Sequence, residues 1–338
     1  MLAITQGDPA GIGPEVTLKG FTGVPRRLHI GDPEVYYRTA AHLGVTLPFQ
    51  VVDSPEAAAR LSDEQFAILP TTHRAALFAE PSRALPFGEP HAAHAAVTME
   101  SIITGCRLAM EKRVLAVVTP PINKAVLHSG GFSVPGHTEI LAQCAGVATP
   151  VMMLATEGLR VVPVTIHQSL RSVADTLTAD LLRRTIEITY AALQRDFAIA
   201  QPRLAVTGLN PHAGEEGAFG REEVEKIAPV CQALAELWPG AIRGPLAADS
   251  LFHPEARQTY DAVICMYHDQ ALIPLKMLGF GRSVNITLGL PIVRTSVDHG
   301  TAYPIAGQGI ADPRSFQQAV LLAVELAANR RRSTLLQP

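Results

Sequence analysis

Between Asp261 and Gly300 the sequence reads DAVICMYHDQALIPLKMLGFGRSVNITLGLPIVRTSVDHG and collects His268, Asp269, Lys276, Asn285, Arg294, Asp298 and His299. These are acids, bases and anion-binding groups, too densely set to be only a solvated face. The run opens with Ala262-Val263-Ile264-Cys265-Met266, in which no polar residue alternates, so it predicts a strand buried on both faces. His268 and Asp269 then fall at its carboxyl end, the place where loops carry chemistry in open α/β sheets.

Two further strands, Leu159–Ile166 and Arg203–Gly208, are followed in the same way by His167 and by Asn210-Pro211-His212-Ala213-Gly214. Each histidine alone reads more simply as a hydrogen-bonding side chain than as a ligand. Three at strand ends are the donors that a catalytic zinc needs, with a fourth position left for substrate. Spacing does not establish that they converge. Val114–Val118 predicts another buried strand, stopped by Pro120 and Pro121, with Asn123 and Lys124 at its tip, where an ammonium could meet a carboxylate or phosphate. Pro135-Gly136-His137-Thr138-Glu139 is a turn entering a helix capped by Thr138 or the residue before it. Its imidazole, hydroxyl and free N–H groups would suit an anion, although in isolation it is an ordinary capped turn. Asp249 lies in a loop, Ala248–Phe252, shortly before the strand at Ala262.

The elements that must position these residues alternate strand and helix. Leu2–Thr5 is a first strand, and Gly7-Asp8-Pro9-Ala10-Gly11-Ile12-Gly13-Pro14-Glu15 leads into a helix near Val16. That loop fits neither G-x-G-x-x-G nor G-x-x-x-x-G-K-[ST], so a tight structural turn is favoured over a ligand cradle. Leu28–Ile30 and Gln50–Val52 are short strands, Gln65–Leu69 is ambiguous, and Thr71–Pro90 reads as a surface connection. His91–Arg113 is a helix with Ala95, Met99, Ile102, Ile103, Cys106 and Met110 near one face and with His91 and His94 exposed in its first turn. Thr178 caps a helix over Ala179–Arg195. Glu222–Trp238 forms another, with Val224, Ile227, Cys231, Leu234 and Leu237 inward.

Composition narrows the class. A chain of 338 residues has room for two ordinary cores. With 47% hydrophobic residues, 17% charged residues and a net charge of −3, it has the balance of a globular protein without an electrostatic footprint for nucleic acid. Cys106, Cys144, Cys231 and Cys265 are far apart and form no CxxC pair, which favours reduced thiols and a cytoplasmic setting. Neither a signal peptide nor an apolar run of membrane-spanning length is visible, so no membrane partner is expected.

The motifs GDPAGIGPE, TPPINKAVL, PGHTE, GLNPHAGEEGAFGREE, MYHDQALIPLK and VNITLGLPIVRTSVDHGTA together resemble the 4-hydroxythreonine-4-phosphate dehydrogenase family of pyridoxal phosphate biosynthesis, over essentially the whole chain. The resemblance implies the α/β fold of isocitrate and isopropylmalate dehydrogenases, two α/β/α domains flanking an active-site cleft, in a homodimer. The expected division is a cofactor-side domain of residues 1–120 and 280–338 and a metal, substrate and dimerisation domain of residues 121–279. By motif, the metal ligands fall on His167, His212 and His268. Substrate contacts fall on His137, Thr138, Lys276, Asn285 and Arg294. Lys276, near the metal, would stabilise the enolate formed as carbon dioxide leaves, while Asp249 and Asp269 are candidates for proton transfer or for orienting the histidines. His299, Gly300, Thr301, Ala302 and Ile305 resemble a nicotinamide-cofactor loop. Pro304 stands there where NAD-using relatives often carry an acidic residue, so NADP is admitted beside NAD.

The implied reaction is NAD(P)- and metal-dependent oxidation of 4-phosphohydroxy-L-threonine to a 3-oxo acid, which decarboxylates to 3-amino-2-oxopropyl phosphate on the way to pyridoxine 5′-phosphate. Zn2+ is the first choice of ion, with Mg2+ or Co2+ as alternatives. The active site is expected to be shared between subunits, His167 and His212 from one chain and His268 from the other. A sister dehydrogenase acting on a four-carbon sugar-acid phosphate (threonate or erythronate 4-phosphate) is the alternative. The Ala271-Leu272 pair, where that group tends to carry Gly-His, speaks against it. A phosphate acyltransferase of related fold, using neither metal nor nicotinamide, is the reading from another class.

Overall fold

The computed structural model describes residues 1–22, 26–79, 84–133 and 136–335. Pro135 and residues 80–83 of the expected surface connection lie outside the described residues. The chain divides into two compact units, residues 1–150 with 290–327 and residues 151–289 with 328–338.

The first unit runs β1 (Leu2–Thr5), α1 (Gly13–Lys19), β2 (Arg27–Gly31), α2 (Pro33–Leu43), β3 (Phe49–Val51), α3 (Pro55–Ala58), β4 (Phe66–Pro70), α4 (Ala76–Ala79), α5 (Ala95–Met110), β5 (Val117–Thr119), α6 (Lys124–Ser129) and α7 (His137–Ala145). The second holds β6 (Val151–Thr156), β7 (Leu159–Pro163), α8 (Leu170–Thr176), α9 (Ala179–Arg195), β8 (Leu204–Thr207), α10 (Ala228–Leu237), β9 (Ile242–Leu246), α11 (Pro254–Arg257), β10 (Ala262–Cys265), α12 (His268–Gly279) and β11 (Val284–Leu288). The first unit resumes with β12 (Arg294–Val297) and most of α13 (Arg314–Leu335).

In the first unit the strand order is β3-β4-β2-β1-β5-β12, all parallel. In the second it is β11-β6-β7-β10-β8-β9, where β6 runs antiparallel to both neighbours and β7, β10, β8 and β9 are parallel. Strands covered on both faces need continuous apolar runs, and β1 and β10 are buried at every position. Val263 and Cys265 of β10 pack with Val161, Ala205, Ala271 and Leu275 in the core of the second unit.

The break at Pro150 differs from the expected boundary near residue 120. Val126 and Leu127 of α6 and Ile140, Leu141 and Ala142 of α7 share one apolar cluster with Ile102 and Cys106 of α5, so residues 121–150 belong to the first unit. At the other end, Arg330 forks onto both carboxylate oxygens of Asp196 at 2.7 and 2.6 Å, and Asn329 donates to the Asp196 carbonyl at 2.9 Å, which ties the end of α13 to the second unit. Residues 280–289 belong to that unit as well.

Several local expectations change. Residues 66–70 form a strand, β4. The stretch before α5 is no mere surface connection, because Ala75 and Phe78 are buried against Val35 and Val97. Ile103 and Met110 are exposed: Ile103 is one residue, or about 100°, from the buried Ile102, and Met110 ends the helix. Ile227, Cys231 and Leu234 are buried as expected, whereas Val224, inside the π-helical turn Glu223–Ile227, and Leu237, the last residue of α10, are exposed. Thr178 does cap α9, its hydroxyl accepting the Leu181 N–H at 3.1 Å. Among the described residues no helix is long and apolar enough to cross a membrane.

His94, expected on the surface, is fully buried with both ring nitrogens unpartnered, its Nδ1 3.9 Å from Asp8. Burial, aided by the charge of His91, pushes its imidazole down to about 4. Above pH ~6.5 the ring is neutral in folded and unfolded chains alike, and below it the unfolded chain takes the proton first. Stability is therefore lost as pH falls from about 6.5 toward 4, and His94 alone should account for about 2 kcal/mol between pH 7.5 and 5. Urea melts of His94→Leu should flatten that acid slope by about one proton. An unchanged slope would place the acid sensitivity elsewhere.

Candidate active site

Because β7, β10 and β8 lie side by side and parallel, their carboxyl ends open along one edge of the second unit. The tips are tied together. Thr165 Oγ1 donates to the Met266 carbonyl at 2.7 Å. Gln270 Oε1 accepts from Met266 N and from Thr207 Oγ1, both at 2.7 Å, while its Nε2 donates to the Gly208 carbonyl at 2.8 Å. Gln270 thus joins the end of β8 to the end of β10. Sequence reasoning passed it over, although it stands inside MYHDQ. The available signal was an amide, whose separate oxygen and NH2 can accept from one strand while donating to the next.

His167 and His268 meet at these tips, with ring centroids 5.9 Å apart. They line a cavity of about 470 Å³ together with Ile166, Gln168, Ser169, Tyr267 and Asp269. Nδ1 of His268 lies 2.7 Å from Asp269 Oδ1, a contact in which the ring N–H donates; the carboxylate orients the imidazole and leaves Nε2 for a ligand. With metal–nitrogen bonds of about 2.1 Å, two imidazoles on one tetrahedral ion have centroids ~5–6 Å apart, so the pair fits two corners of such a site. Among the described residues no three His, Cys, Asp or Glu side chains are grouped to hold an ion, so His212 does not complete a set of three within one chain.

His212 occupies an unusual turn. Residues His212, Ala213, Gly214, Glu215 and Glu216 all have φ between 42° and 78°, left-handed backbone held over successive residues. L residues visit that region singly, at about 1–2 kcal/mol each, so the non-glycine members cost roughly 4–8 kcal/mol together. Glu223 offsets it. Its carboxylate, 2% exposed, accepts Leu209 N at 2.7 Å, Asn210 N at 2.8 Å and Asn210 Nδ2 at 3.0 Å. Three charge-assisted bonds contribute roughly 5–9 kcal/mol.

The remaining candidates of this unit are dispersed. Asp249 is exposed on the turn after β9. Lys276 sits on α12 eight residues, or about 12 Å along the axis, after His268, with Pro274 between them. Asn285 pairs with Leu154, which pairs with Val161, so it stands well before the strand tip that carries His167.

In the first unit, Gly136, whose backbone is extended, caps α7 in place of the expected Thr138 or His137; His137 and Thr138 are the first helical residues. Arg294, 2% exposed, directs Nε and Nη2 to Thr119 Oγ1 at 3.1 and 2.7 Å. Burial lowers its guanidinium to about 9, the Glu139 carboxylate opposing, so it keeps its charge at neutral pH. Burial and then the Arg294 charge hold the His137 imidazole well below its ordinary range, and its Nε2 is buried without a partner. A Cβ at Gly136 would lie 3.3 Å from Lys124 Cε, which brings Lys124 to the same place. A fixed guanidinium, a neutral imidazole with a spare nitrogen and an ammonium suit an oxyanion.

The loop holding His299, Gly300, Thr301, Ala302 and Ile305 rests on the glycine loop before α1. Ile12 N donates to the Thr301 carbonyl at 2.9 Å, and Tyr303 Oη donates to Asp8 Oδ2 at 2.8 Å. Asp8, Gly11 and Ile12 spend their N–H groups on Pro121, Asp8 and Thr301, and Ala10 N turns to Asp8 Oδ1, so these four groups brace the loop. Pro304 is exposed on the turn Tyr303–Ile305.

Parallel strands with ionisable groups gathered at their tips, and an oriented imidazole pair among them, define an α/β enzyme. Residues 24–323 match the family described as Pyridoxal phosphate biosynthetic protein PdxA, and the chain belongs to that family. It is 46% identical to the 4-hydroxythreonine-4-phosphate dehydrogenase of Caulobacter vibrioides over 97% of this chain and 98% of that protein, and 48% identical to that of Maricaulis maris over the same shares. The crystal structure of the Klebsiella pneumoniae 4-hydroxythreonine-4-phosphate dehydrogenase superposes with a TM-score of 0.86 at 36% identity, covering 97% of this chain and 98% of the other. Like them, the chain is an oxidoreductase.

Replacing Arg294 by Ala removes the charge that helps depress His137 while leaving most of the burial. The His137 titration, followed by long-range proton–nitrogen NMR, should move up in the variant yet stay below an ordinary histidine. An unmoved titration would separate the two residues electrostatically.

Proposed function

We propose that this enzyme oxidises 4-phosphohydroxy-L-threonine with NAD or NADP to a 3-oxo acid, which loses carbon dioxide to leave 3-amino-2-oxopropyl phosphate in pyridoxine 5′-phosphate biosynthesis. The observation that carries this reading is the pair His167 and His268, 5.9 Å apart at adjacent strand tips, with Asp269 fixing the second ring. A divalent ion held there, Zn2+ first and Mg2+ or Co2+ as alternatives, would supply Lewis acidity toward the oxygen being oxidised.

The other roles belong to side chains. Arg294, His137 and Thr138, with Lys124, bind the anionic ends of the substrate and hold it in one orientation. Asn285 adds a hydrogen bond, and Lys276 places a positive charge where negative charge builds as carbon dioxide departs. Asp269 orients His268, and Asp249 is the exposed carboxylate offered for proton transfer. His299, Gly300, Thr301, Ala302 and Ile305 seat the nicotinamide cofactor. Pro304 presents no carboxylate to repel a 2′-phosphate, hence the use of NADP beside NAD. In this reading the first unit is the cofactor side and the second binds the metal and dimerises.

The enzyme acts as a homodimer whose sites are assembled from two chains. Its support is the dispersal within one chain: no third donor joins the histidine pair among the described residues, and Lys276 and Asn285 stand away from it. The pairing of His167 with His268 favours a different partition from the expected one, with both from one chain and His212 from its partner.

Reduction of NAD with 4-phosphohydroxy-L-threonine should fall to background with a chelator and return with added Zn2+, Mg2+ or Co2+; the same assay with NADP reports cofactor choice. Full activity of the metal-free protein would end this reading. Each His→Ala homodimer at positions 167, 212 and 268 should be inactive. Refolding His167→Ala with His212→Ala in equal amounts should restore about a quarter of the sites, because half the dimers are mixed and each mixed dimer has one intact site. His167→Ala with His268→Ala should restore none. Recovery in that second mixture would reinstate the partition with His268 opposite His167.

A further inference from the structure

The motif GLNPHAGEEGAFGREE contains more than a ligand. Its backbone is left-handed from His212 to Glu216, and three of its glycines stand against the groups that hold that turn. A Cβ at Gly208 would come within 2.7 Å of Ala213 Cα, one at Gly214 within 2.5 Å of Glu223 Oε2, and one at Gly220 would overlap Asn210 Nδ2. The backbone must therefore close around the Glu223 carboxylate, which takes its three hydrogen bonds from Leu209 and Asn210, the residues that lead into His212. Glu223 is itself fixed, since it opens the π-helical turn Glu223–Ile227, and Lys226 in that turn donates to the Ala174 carbonyl at 2.8 Å. A carboxylate buried in this way stabilises a backbone conformation that His212 and its neighbours would otherwise leave.

We propose that Glu223 is a positioning residue that presets the left-handed turn carrying His212, so that the imidazole is presented to the divalent ion without a cost of ordering at binding. This deepens the functional reading above and rests on His212 being a metal ligand. It also predicts that the strain is relieved by glycine: Glu216, exposed and with φ of 56°, could be Gly without loss of a buried contact.

The test measures Zn2+ affinity of the intact protein by competition with a chromophoric chelator, alongside near-UV circular dichroism and the melting temperature. Glu223→Gln keeps the shape but loses the charge and turns one acceptor into a donor facing Asn210 Nδ2. It should weaken Zn2+ binding about 10- to 100-fold, the range for residues that orient metal ligands, with the dichroism unchanged. Adding Glu216→Gly to Glu223→Gln should recover part of that loss, which a general stability defect would not produce at constant dichroism. His212→Ala is the control. If it lowers affinity and Glu223→Gln does not, the positioning role is overturned while the ligand assignment stands. If His212→Ala itself leaves Zn2+ affinity unchanged, the ligand assignment falls and this inference with it. A Glu223→Gln protein that loses its near-UV signal would make Glu223 a general folding determinant and also overturn the proposal.

Discussion

Strands buried on both faces have no room for an ionised side chain, and that exclusion governs where this protein can do chemistry. Through β10 every residue is buried, and the first acid and base after it are His268 and Asp269. β7 and β8 lie in register beside it, and their histidines, His167 and His212, likewise come only after the buried strand residues. In the first unit β1 and β5 release Asp8, Asn123 and Lys124 in the same manner. Arg27 and Arg294 depart from this, each a buried guanidinium at the start of a strand: Arg27 donates to the Phe21 carbonyl, while Thr119 accepts two N–H groups of Arg294 and Glu139 opposes its loss of charge.

What the sequence made legible follows from that exclusion. Apolar runs located the buried strands, their ends located His167, His212 and His268, and Thr178 located the start of α9, because each of these depends on neighbours a few residues away. Most of the inward face of the helix ending at Leu237 was legible, since Ile227, Cys231 and Leu234 are buried; the π-helical turn that holds the exposed Val224 was not, because it leaves no compositional mark. The burial of His94 and the tie made by Gln270 depend on chain segments far apart in sequence. The break at Pro150 likewise depends on α6 and α7 packing on α5.

Lys276 and Asn285 mark a different limit. Motif matching correctly treats them as one constellation with the histidines only if spatial neighbours may come from different chains. Counting along α12 gives the separation of Lys276 from His268, yet the count has force only once the helix is known to be continuous through Pro274. For His212 the difficulty is reversed. Its neighbourhood is local, but successive left-handed residues are so unfavourable for L amino acids that no propensity would select them.

The seating of the 299–305 loop on the glycine loop bears on how this enzyme can diversify. Tyr303 reaches Asp8, which is 1% exposed and raised in pKa by its burial, and Gly11 approaches Thr301 so closely that any side chain there would collide. The two loops are encoded almost three hundred codons apart. The later loop is consequently not an exchangeable module. A recombination event, or an engineer, that imports it from a distant homologue without the matching N-terminal segment would take the Tyr303 hydroxyl from the buried Asp8 carboxylate. Such chimeras should be viable mainly when both ends are inherited together.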